Sequence, residues 1–548
     1  MLLVAEASTL KCGVGIQTAV SCALSMCFFG GVSTRGGNLA LSATCGSNVT
    51  SKAGMMACAA GLCSSGTGQF LWNGAKATAN YANVGADAQR YAAALAIAVG
   101  GVIGATNASL FNITLTAEWR SNLSTRGSFT SVCVGIATMS TNSIHLDGVT
   151  LAIANGTTLN AMGANAVASL GIGVRSNARG GLISNVLIAA IPSSSSSSSA
   201  ITRVEAQSAS YATAGGYATA GGVVYAGTTT DVLSLLVSNV VVVFAGGVAA
   251  TTSESSSSSS LARKSLAYAN CSQSVVGCAA VGMVFAATDP NAPLRICVLN
   301  VTLVVASQWV VAAAGRLVAV AFGIALHGYT SGLVTFDAES VSMLAVNATL
   351  TSEANVSAAV GVAFYAFSPN RQNLTRLSLA AHHCNISGKA TQSAAVIGVA
   401  HSVTPQNVAH LTLQAIAFVS EVQTVIDWSC SDFGGGMGLC AILSVAVAGI
   451  PQRTGPSCDG LVVSMVNTDA TLTCTPVSLC HVAVTSGALS AFRRDNIALL
   501  ICRSTARLVG GSTAGSVIVA NARPNNLTFV LLGSVVHYSA VPCFQDPP

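Results

Sequence analysis

Charged side chains are scarce in this chain. Asp, Glu, Lys and Arg make up 7% of its 548 residues, against about a quarter in an ordinary soluble domain. The net charge of +5 is spread thinly, and the longest basic run is Arg493-Arg494. Nucleic-acid binding needs a concentrated basic footprint, so the sequence predicts no nucleic-acid partner. Hydroxyls, amides or attached sugars must hydrate the surface instead.

Catalytic motifs are missing as well. The sequence has no phosphate-binding loop, no nucleophile elbow and no His-Glu-x-x-His helix. Polysaccharide cleavage needs acidic residues gathered on one face. Asp337 and Glu339 would share a strand face, and Asp427 and Asp432 flank a cysteine, but neither pair has a His or Arg close by in sequence. We therefore predict no catalytic activity.

Metal-ligand patterns are absent too. There is no CxxC pair and no His at zinc-finger spacing. His382 and His383 adjoin Cys384, but consecutive strand residues point to opposite faces. The sequence therefore predicts no metal ion and no cofactor.

Glycine punctuates the chain at regular intervals and indicates an internal repeat. Each of these glycines precedes an apolar pair or trio, and the spacing ranges from 34 to 60 residues. The glycines are Gly61, Gly101, Gly135, Gly171, Gly222, Gly282, Gly323, Gly361, Gly398 and Gly438. A period in this range is typical of stacked units that share a continuous core.

Each repeat unit contains two apolar segments of β type. In the unit after Arg295, the pattern predicts a strand over 297–306, a turn region over 307–316 and a second strand over 317–326 around its glycine. An Asn-x-Thr-Leu element recurs upstream, beginning at Asn112, Asn300 and Asn347. Positions i and i+2 share a strand face, so we expect Asn and Thr outside and the intervening residue in the core. Internal Asn and Thr ladders between coils are the alternative.

These features predict an all-β fold, a right-handed parallel β-solenoid or β-helix. We expect a Cys-rich N-terminal cap over 1–65, solenoid repeats over 66–425, and Cys-rich C-terminal coils or a cap over 426–548. Poly-Ser tracts near 193–199 and 253–260 are predicted to be disordered loops.

A polytopic membrane protein is the main competing interpretation. Mean hydropathy is high, and several runs of 20 or more residues carry no charge; 13–34 and 91–111 are the best candidate spans. Against it, the runs are β-branched and interrupted by Ser, Thr and Asn, which favours buried strands. Neither end carries a signal-peptide or anchor pattern, so we expect any membrane association to depend on a missing segment or a partner.

Asparagine sequons are about twice as frequent as chance predicts. The glycosylation candidates are Asn48, Asn107, Asn112, Asn122, Asn155, Asn270, Asn300, Asn347, Asn355, Asn373, Asn385 and Asn526. Glycosylation would place the chain in the secretory route of a eukaryotic cell.

Cysteines cluster towards the two ends, which favours disulfides over metal binding. The disulfide candidates are Cys12, Cys22, Cys27, Cys45, Cys58, Cys63, Cys430, Cys440, Cys458, Cys474, Cys480, Cys502 and Cys543. Scattered, reduced and buried cysteines are the alternative, and the sequence does not determine the pairing.

The Asn-x-Thr-Leu elements, segments such as Ala359-Val360-Gly361-Val362-Ala363, the Cys-rich ends and the Ser tracts together resemble known proteins. They are similar to the repetitive surface proteins of kinetoplastid protists, of the dispersed gene family type and its membrane-associated relatives. The resemblance implies a cell-surface or secreted glycoprotein with a structural or adhesive display role. Its partners would be glycans or proteins of a cell surface or matrix. A carbohydrate-active β-helix enzyme is the alternative from another class.

Overall fold

The structure is a computed structural model, and every regular element in its described part is a β-strand. It describes residues 1–12, 20–29, 33–65, 68–100, 106–139, 141–176, 180–191, 202–208, 217–227, 233–245, 265–271, 277–287, 293–306, 309–328, 334–366, 370–403, 409–431, 439–448, 457–474, 479–486, 493–509, 516–518 and 525–539. These residues form 39 strands, numbered in chain order. Neighbouring strands pair in parallel in two sheets.

Sheet A contains one strand from each turn of the chain and has 14 strands. They are β1 (Leu2–Glu6), β4 (Thr34–Thr44), β7 (Gly68–Asn80), β10 (Thr106–Glu118), β13 (Thr141–Ala154), β16 (Gly180–Ile191), β19 (Leu233–Ala245), β22 (Leu294–Ala306), β25 (Val334–Val346), β27 (Asn370–His382), β29 (Ala409–Glu421), β32 (Ser457–Val466), β35 (Arg493–Cys502) and β38 (Asn525–Leu532).

In each turn of the chain, the first strand that joins sheet B is short. These short strands are β2 (Thr9–Cys12), β5 (Asn48–Ala53), β8 (Asn83–Ala88), β11 (Asn122–Gly127), β14 (Thr158–Gly163), β17 (Arg203–Ser208), β20 (Ser265–Cys271), β23 (Trp309–Gly315), β30 (Thr424–Cys430), β33 (Thr468–Cys474), β36 (Thr505–Val509) and β39 (Val535–Ser539).

A third strand, here named the bent strand, completes each turn. The bent strands are β3 (Val20–Phe29), β6 (Met56–Ser65), β9 (Tyr91–Gly100), β12 (Thr130–Met139), β15 (Ala166–Ser176), β18 (Tyr217–Gly227), β21 (Gly277–Ala287), β24 (Val318–Gly328), β31 (Leu439–Ala448), β34 (Leu479–Ser486) and β37 (Ser516–Ile518). In β26 (Thr349–Ala366) and β28 (Asn385–Val403) the short and bent strands are continuous.

One sheet A strand, one short strand and one bent strand therefore make a rung, and successive rungs stack in register. Gly282 pairs with Gly323, Gly323 with Gly361, and Gly361 with Gly398. This is a parallel β-helix, and it confirms the predicted all-β solenoid. Stacked parallel strands lie about 4.8 Å apart, so the fold grows by that distance with each rung.

The core runs along the inside of the rungs. On β22, Leu294, Ile296 and Val298 are buried, and burial then resumes at Val301 rather than one residue earlier. The alternation shifts because Asn300 is left-handed, with φ of 52°. Sheet A strands thus bend at one residue and bury side chains on both sides of the bend.

The bent strands fold back on themselves. Cys22 and Cys27 are 5 residues apart on β3, yet their Cα atoms are 6.8 Å apart, whereas a straight strand would separate them by about 17 Å. Glycine occupies the bend in most rungs, with φ of 148° at Gly323. A Cβ atom there would collide with the carbonyl oxygen of Gly361 on the next rung. This close approach explains the glycine repeat.

Two positions of this column hold residues other than glycine. Ala96 pairs with Gly61 and Gly135, and Ser444 pairs with Gly398. Gly101 and Gly438 lie outside the described residues. The apolar segment, rather than the glycine itself, was the reliable repeat marker in those rungs.

The predicted unit was also one strand short. The region 307–316, interpreted as a turn, contains β23, whose Trp309 and Val311 are fully buried. The two predicted strands on either side of it are confirmed as β22 and β24.

The strands continue past both predicted domain boundaries. β1 to β6 precede residue 66, β30 spans residue 425, β31 to β39 follow it, and all of these strands pair within the same two sheets. The assignment of these regions as caps stays a prediction. The poly-Ser tracts lie outside the described residues.

The best candidate membrane spans contain strands in place of helices. The part of 13–34 that the structure describes includes β3, and 91–111 includes β9. Across the described ranges, no helix is long and apolar enough to cross a bilayer.

Candidate functional site

The outward side of the short strands is the most chemically mixed surface near the N-terminal end. Side chains alternate there between buried and exposed, as on β11, where Leu123 is buried and Ser124 and Arg126 are exposed. The outward residues stack in register from rung to rung. We name this surface the short-strand face, and its members on β5, β8, β11 and β14 are Thr50, Lys52, Gly85, Asp87, Ser124, Arg126, Asn160 and Met162.

A groove of about 670 Å³ lies over the short-strand face. Three cations, Lys11, Lys52 and Arg126, and one carboxylate, Asp87, line it. Lys52 Nζ lies 3.3 Å from Asp87 Oδ2, so Lys52 and Asp87 form an ion pair. A second groove of about 420 Å³ is lined by Lys52, Asp87 and Arg126 as well. The site therefore combines excess positive charge with hydroxyl and amide groups on rigid strands.

Sequence reasoning missed this site because it placed the short strands in turns. The signal was present in β5, where Val49, Ser51 and Ala53 are buried and the residues between them face outward. A six-residue alternation between two longer apolar segments is easily read as a loop.

A ladder of asparagines runs along sheet A at the bend residue. Asn239 Nδ2 donates to Asn185 Oδ1 at 3.2 Å, and Asn300 Nδ2 donates to Asn239 Oδ1 at 3.3 Å. At the other end, Asn526 Nδ2 donates to Asn496 Oδ1 at 2.9 Å. Stacked amides of this kind satisfy one another between rungs.

The Asn-x-Thr-Leu elements lie at two different places in the rung. Asn112 and Asn300 are exposed bend residues of sheet A, and Ile113 and Val301 are buried as expected. Asn347 differs, because it is the left-handed residue at the corner between β25 and β26. The three elements are therefore not equivalent, and the amide contacts lie between coils on the outer surface.

Every predicted sequon asparagine falls within the described residues, and none is buried. Some amides are engaged: Asn373 Nδ2 donates to Asp337 Oδ1 at 2.5 Å, and Asn355 Oδ1 accepts a hydrogen bond from Thr391 Oγ1 at 2.8 Å. Asn122 and Asn385 are exposed at the starts of β11 and β28. Asn347 is exposed as well, so these three positions offer accessible amides for a sugar.

Disulfides join some of the predicted cysteines. Cys22 is bonded to Cys27 and Cys430 to Cys440, and Cys474 is also disulfide-bonded. The structure leaves five candidates as free thiols, namely Cys12, Cys45, Cys58, Cys63 and Cys502. The side chains of Cys458 and Cys480 and the whole of Cys543 lie outside the described part of the chain.

One disulfide lies where the sequence analysis placed no candidate. Cys271 at the end of β20 is bonded to Cys278 near the start of β21. Cys430 and Cys440 occupy the same two positions of a later rung, at the end of β30 and near the start of β31. The signal available in the sequence was the position of the cysteines relative to the strands, one at the end of a short strand and one near the start of the next bent strand. The clustering of cysteines towards the two ends of the chain concealed this signal.

The predicted acidic pairs do not form a joint site. Asp337 accepts a hydrogen bond from Asn373, and Glu339 forms an ion pair with Arg376. Asp427 is exposed on β30, and Asp432 lies outside the described residues. Among the residues described, the only group of three or more His, Cys, Asp or Glu side chains with converging ligand atoms is Cys22, Cys27 and Cys63.

The His382-His383-Cys384 segment is divided as the strand argument requires. His382 Nδ1 lies 3.8 Å from Glu421 Oε2, His383 is exposed with φ of 52°, and Cys384 is buried. Burial raises the pKa of the Cys384 thiol to about 11, which keeps it protonated. These groups do not converge on one point.

Two other histidines are buried in apolar surroundings. Burial lowers the pKa of His327 and of His401 to about 3 in each case. The two Nε2 atoms of His401 and Gln372 are 2.7 Å apart. Both imidazoles are therefore neutral at physiological pH and serve packing.

Comparisons with known proteins find no matching protein family, no matching curated protein and no matching solved structure. The similarity to kinetoplastid surface proteins therefore stays a prediction from sequence.

Proposed function

We propose that this chain is a non-catalytic extracellular β-helix that adheres to acidic glycans of a cell surface or matrix through its short-strand face. The observation that carries the proposal is the groove lined by Lys11, Lys52 and Arg126 with a single carboxylate. Lys52 and Arg126 lie two rungs apart, a separation of about 10 Å, with Asp87 on the rung between them. Together with Lys11 they offer repeated contacts to a polymer that carries repeated negative charge.

The disulfides support an oxidising compartment. Three disulfide bonds join described cysteines, and such bonds persist mainly in secreted and surface proteins. The exposed or half-exposed sequons agree with that location. We expect glycans first at the exposed residues Asn122, Asn347 and Asn385.

The contacts that the acidic side chains make favour a display role over catalysis. Asp87, Asp337 and Glu339 each contact a partner from a neighbouring rung, respectively Lys52, Asn373 and Arg376. Carboxylates engaged in this way hold rungs together, whereas glycoside cleavage uses two that face the same bond.

Binding to a sulfated polysaccharide tests the adhesive role. With immobilised heparin as the probe and neutral dextran as the control polymer, the full chain should bind heparin alone. Binding should weaken with added salt because the contacts are ionic. The variant Lys52→Ala/Arg126→Ala should lose about tenfold in affinity, which corresponds to roughly 1.4 kcal/mol.

Lys76→Ala/Lys389→Ala is the matched control, since it also removes two exposed cations, one on β7 and one on β28, and neither lines the groove. It should bind like the unmodified chain. Equal loss in both variants would show that net charge alone attracts heparin. Retained binding in the groove variant would remove the groove from the proposal.

A further inference from the structure

Four cysteines lie in register at the first two bent strands. Cys22 pairs with Cys58, and Cys27 pairs with Cys63, along β3 and β6. The two cysteines of β3, Cys22 and Cys27, form a disulfide across the bend of that strand. The two cysteines of β6, Cys58 and Cys63, have the same sequence spacing and occupy the same two positions, yet their thiols are free in this structure.

The two thiols of β6 lie in the core. Ser25 Oγ donates to Cys58 Sγ at 3.6 Å, and both Cys58 and Cys63 are fully shielded from solvent. Sγ of Cys63 also lies within 4.8 Å of the sulfur atoms of Cys22 and Cys27. The bend that brings Cys22 to Cys27 thus brings Cys58 to Cys63 one rung further along.

We propose that Cys58 and Cys63 form a disulfide across the bend of β6, stacked on the Cys22–Cys27 disulfide. Two consecutive bent strands would then be closed covalently. The proposal does not depend on adhesion, since it requires only an oxidant of the disulfide class, such as oxidised glutathione.

The chemistry has to precede burial, because both thiols are fully shielded from solvent in the folded chain. Before β6 is covered by its neighbours, the Cys58 thiolate attacks the oxidant, displaces one thiolate from it and forms a mixed disulfide. Cys63 then loses its proton, attacks the Cys58 sulfur and releases the second thiolate. Two thiols are oxidised and one small disulfide is reduced to two thiols.

A disulfide fits the site better than a metal ion. A structural zinc site needs four thiolate or imidazole ligands, and two of the four cysteines are already bonded to each other. The remaining sulfur ligands are Cys58, Cys63 and the Met56 thioether, whose Sδ lies 2.8 Å from Cys63 Sγ.

Peptide mapping tests the proposal directly. The full chain is refolded from denaturant in reduced and oxidised glutathione, denatured again with an alkylating reagent, and digested with trypsin without reduction. Residues 53–76 form one tryptic peptide whose only cysteines are Cys58 and Cys63. We expect that peptide unalkylated and two hydrogens lighter, with alkylation appearing only after reduction. Alkylation of both cysteines before reduction would overturn the proposal, as would a link from either one to the 12–35 peptide.

The variant Cys58→Ala/Cys63→Ala separates the remaining outcomes. Alanine already stands at both positions of the next rung, as Ala93 and Ala98, so the variant should fold. Its number of free thiols in denaturant should equal that of the unmodified chain, whereas Cys133→Ala, which removes a buried free thiol, should lower the number by one. A loss of two free thiols, or zinc that copurifies with the unmodified chain and is absent from the double variant, would contradict the disulfide.

Discussion

At the scale of single residues, left-handed backbone explains most of the sequence bias in sheet A. The bend residue of each strand has φ near 55° or higher, and it is usually Asn or Gly, the residues that tolerate this conformation best. Asn adds the amide contacts of the ladder. Ser340, Arg376 and Ala415 hold the same position without that advantage.

Ala415 offers a direct test of this bend. Its φ is 54°, and it is exposed, so Ala415→Gly removes strain without opening a cavity. We expect a gain of about 1 kcal/mol in the free energy of unfolding. Ala417→Gly, two residues on in the same strand and outside the left-handed set, should lose about 0.5 to 1 kcal/mol. Denaturant unfolding of both variants checks the pair, and a loss in Ala415→Gly would contradict the bend geometry.

The buried histidines predict sensitivity to acid. The pKa of His401 is about 3 in the folded protein and about 6.5 when unfolded, so the unfolded chain takes up the proton first as pH falls. Its stabilising contribution is therefore complete above about pH 6.5 and decreases towards pH 3, by about 1.4 kcal/mol per pH unit.

His401→Leu should remove that dependence. Phe364 and Leu326 occupy the same position on the two preceding rungs, so an apolar side chain fits there. Between pH 7.5 and pH 5, the unmodified chain should lose about 2 kcal/mol more stability than the variant. Urea unfolding at the two pH values measures this difference, and equal losses would show that His401 titrates normally when folded.

At the scale of elements, the bent strand is the part most dependent on one residue type. At Gly323 the next rung leaves no space for a Cβ atom. Gly323→Ala should therefore cost more than 3 kcal/mol, because backbone on two rungs must move.

Gly46→Ala is the control that tests the cost of a left-handed backbone conformation without a steric clash at the Cβ atom. Gly46 has φ of 79°, and its Cβ would meet no atom within 4 Å, so about 1 to 2 kcal/mol is expected from strain alone. Thermal or denaturant unfolding distinguishes the two variants. Equal costs would show that rung contact at the glycine column is looser than described.

The strand content was predictable where a strand carried a long apolar run. β22 and β24 are confirmed: β22 is rich in β-branched residues, and β24 is a long run of Val, Ala, Phe, Ile and Leu around its glycine. β23 was missed because Ala312, Ala313 and Ala314 have weak strand preference, and its burial depends on the rungs above and below. Neighbour contacts of that kind leave little trace in a single local window.

The candidate site was less predictable than the fold. Lys52, Asp87 and Arg126 are separated by more than 30 residues each in sequence, and only rung register brings them together. Register between rungs depends on loop lengths, which vary along this chain. The repeat alone could not therefore align those three side chains.

At the scale of the whole molecule, both the groove and the stacked cysteine pairs require rungs that stack in chain order along one axis. Cys58 and Cys63 lie one rung beyond Cys22 and Cys27, and the groove spans several rungs of the short-strand face. Both proposals lose their geometry if the strands do not stack in this order.

Distances between spin labels along sheet A measure that order most directly. Lys76 and Ser342 face outward in one column, linked through Thr114, Thr150, Leu187, Val241 and Thr302. Labels attached through non-cysteine chemistry at Lys76 and, in separate samples, at Thr302, Ser342 or Ser378 should give separations that increase by about 4.8 Å with each rung. Separations without that constant increment, or broad distributions unrelated to rung number, would contradict the parallel β-helix.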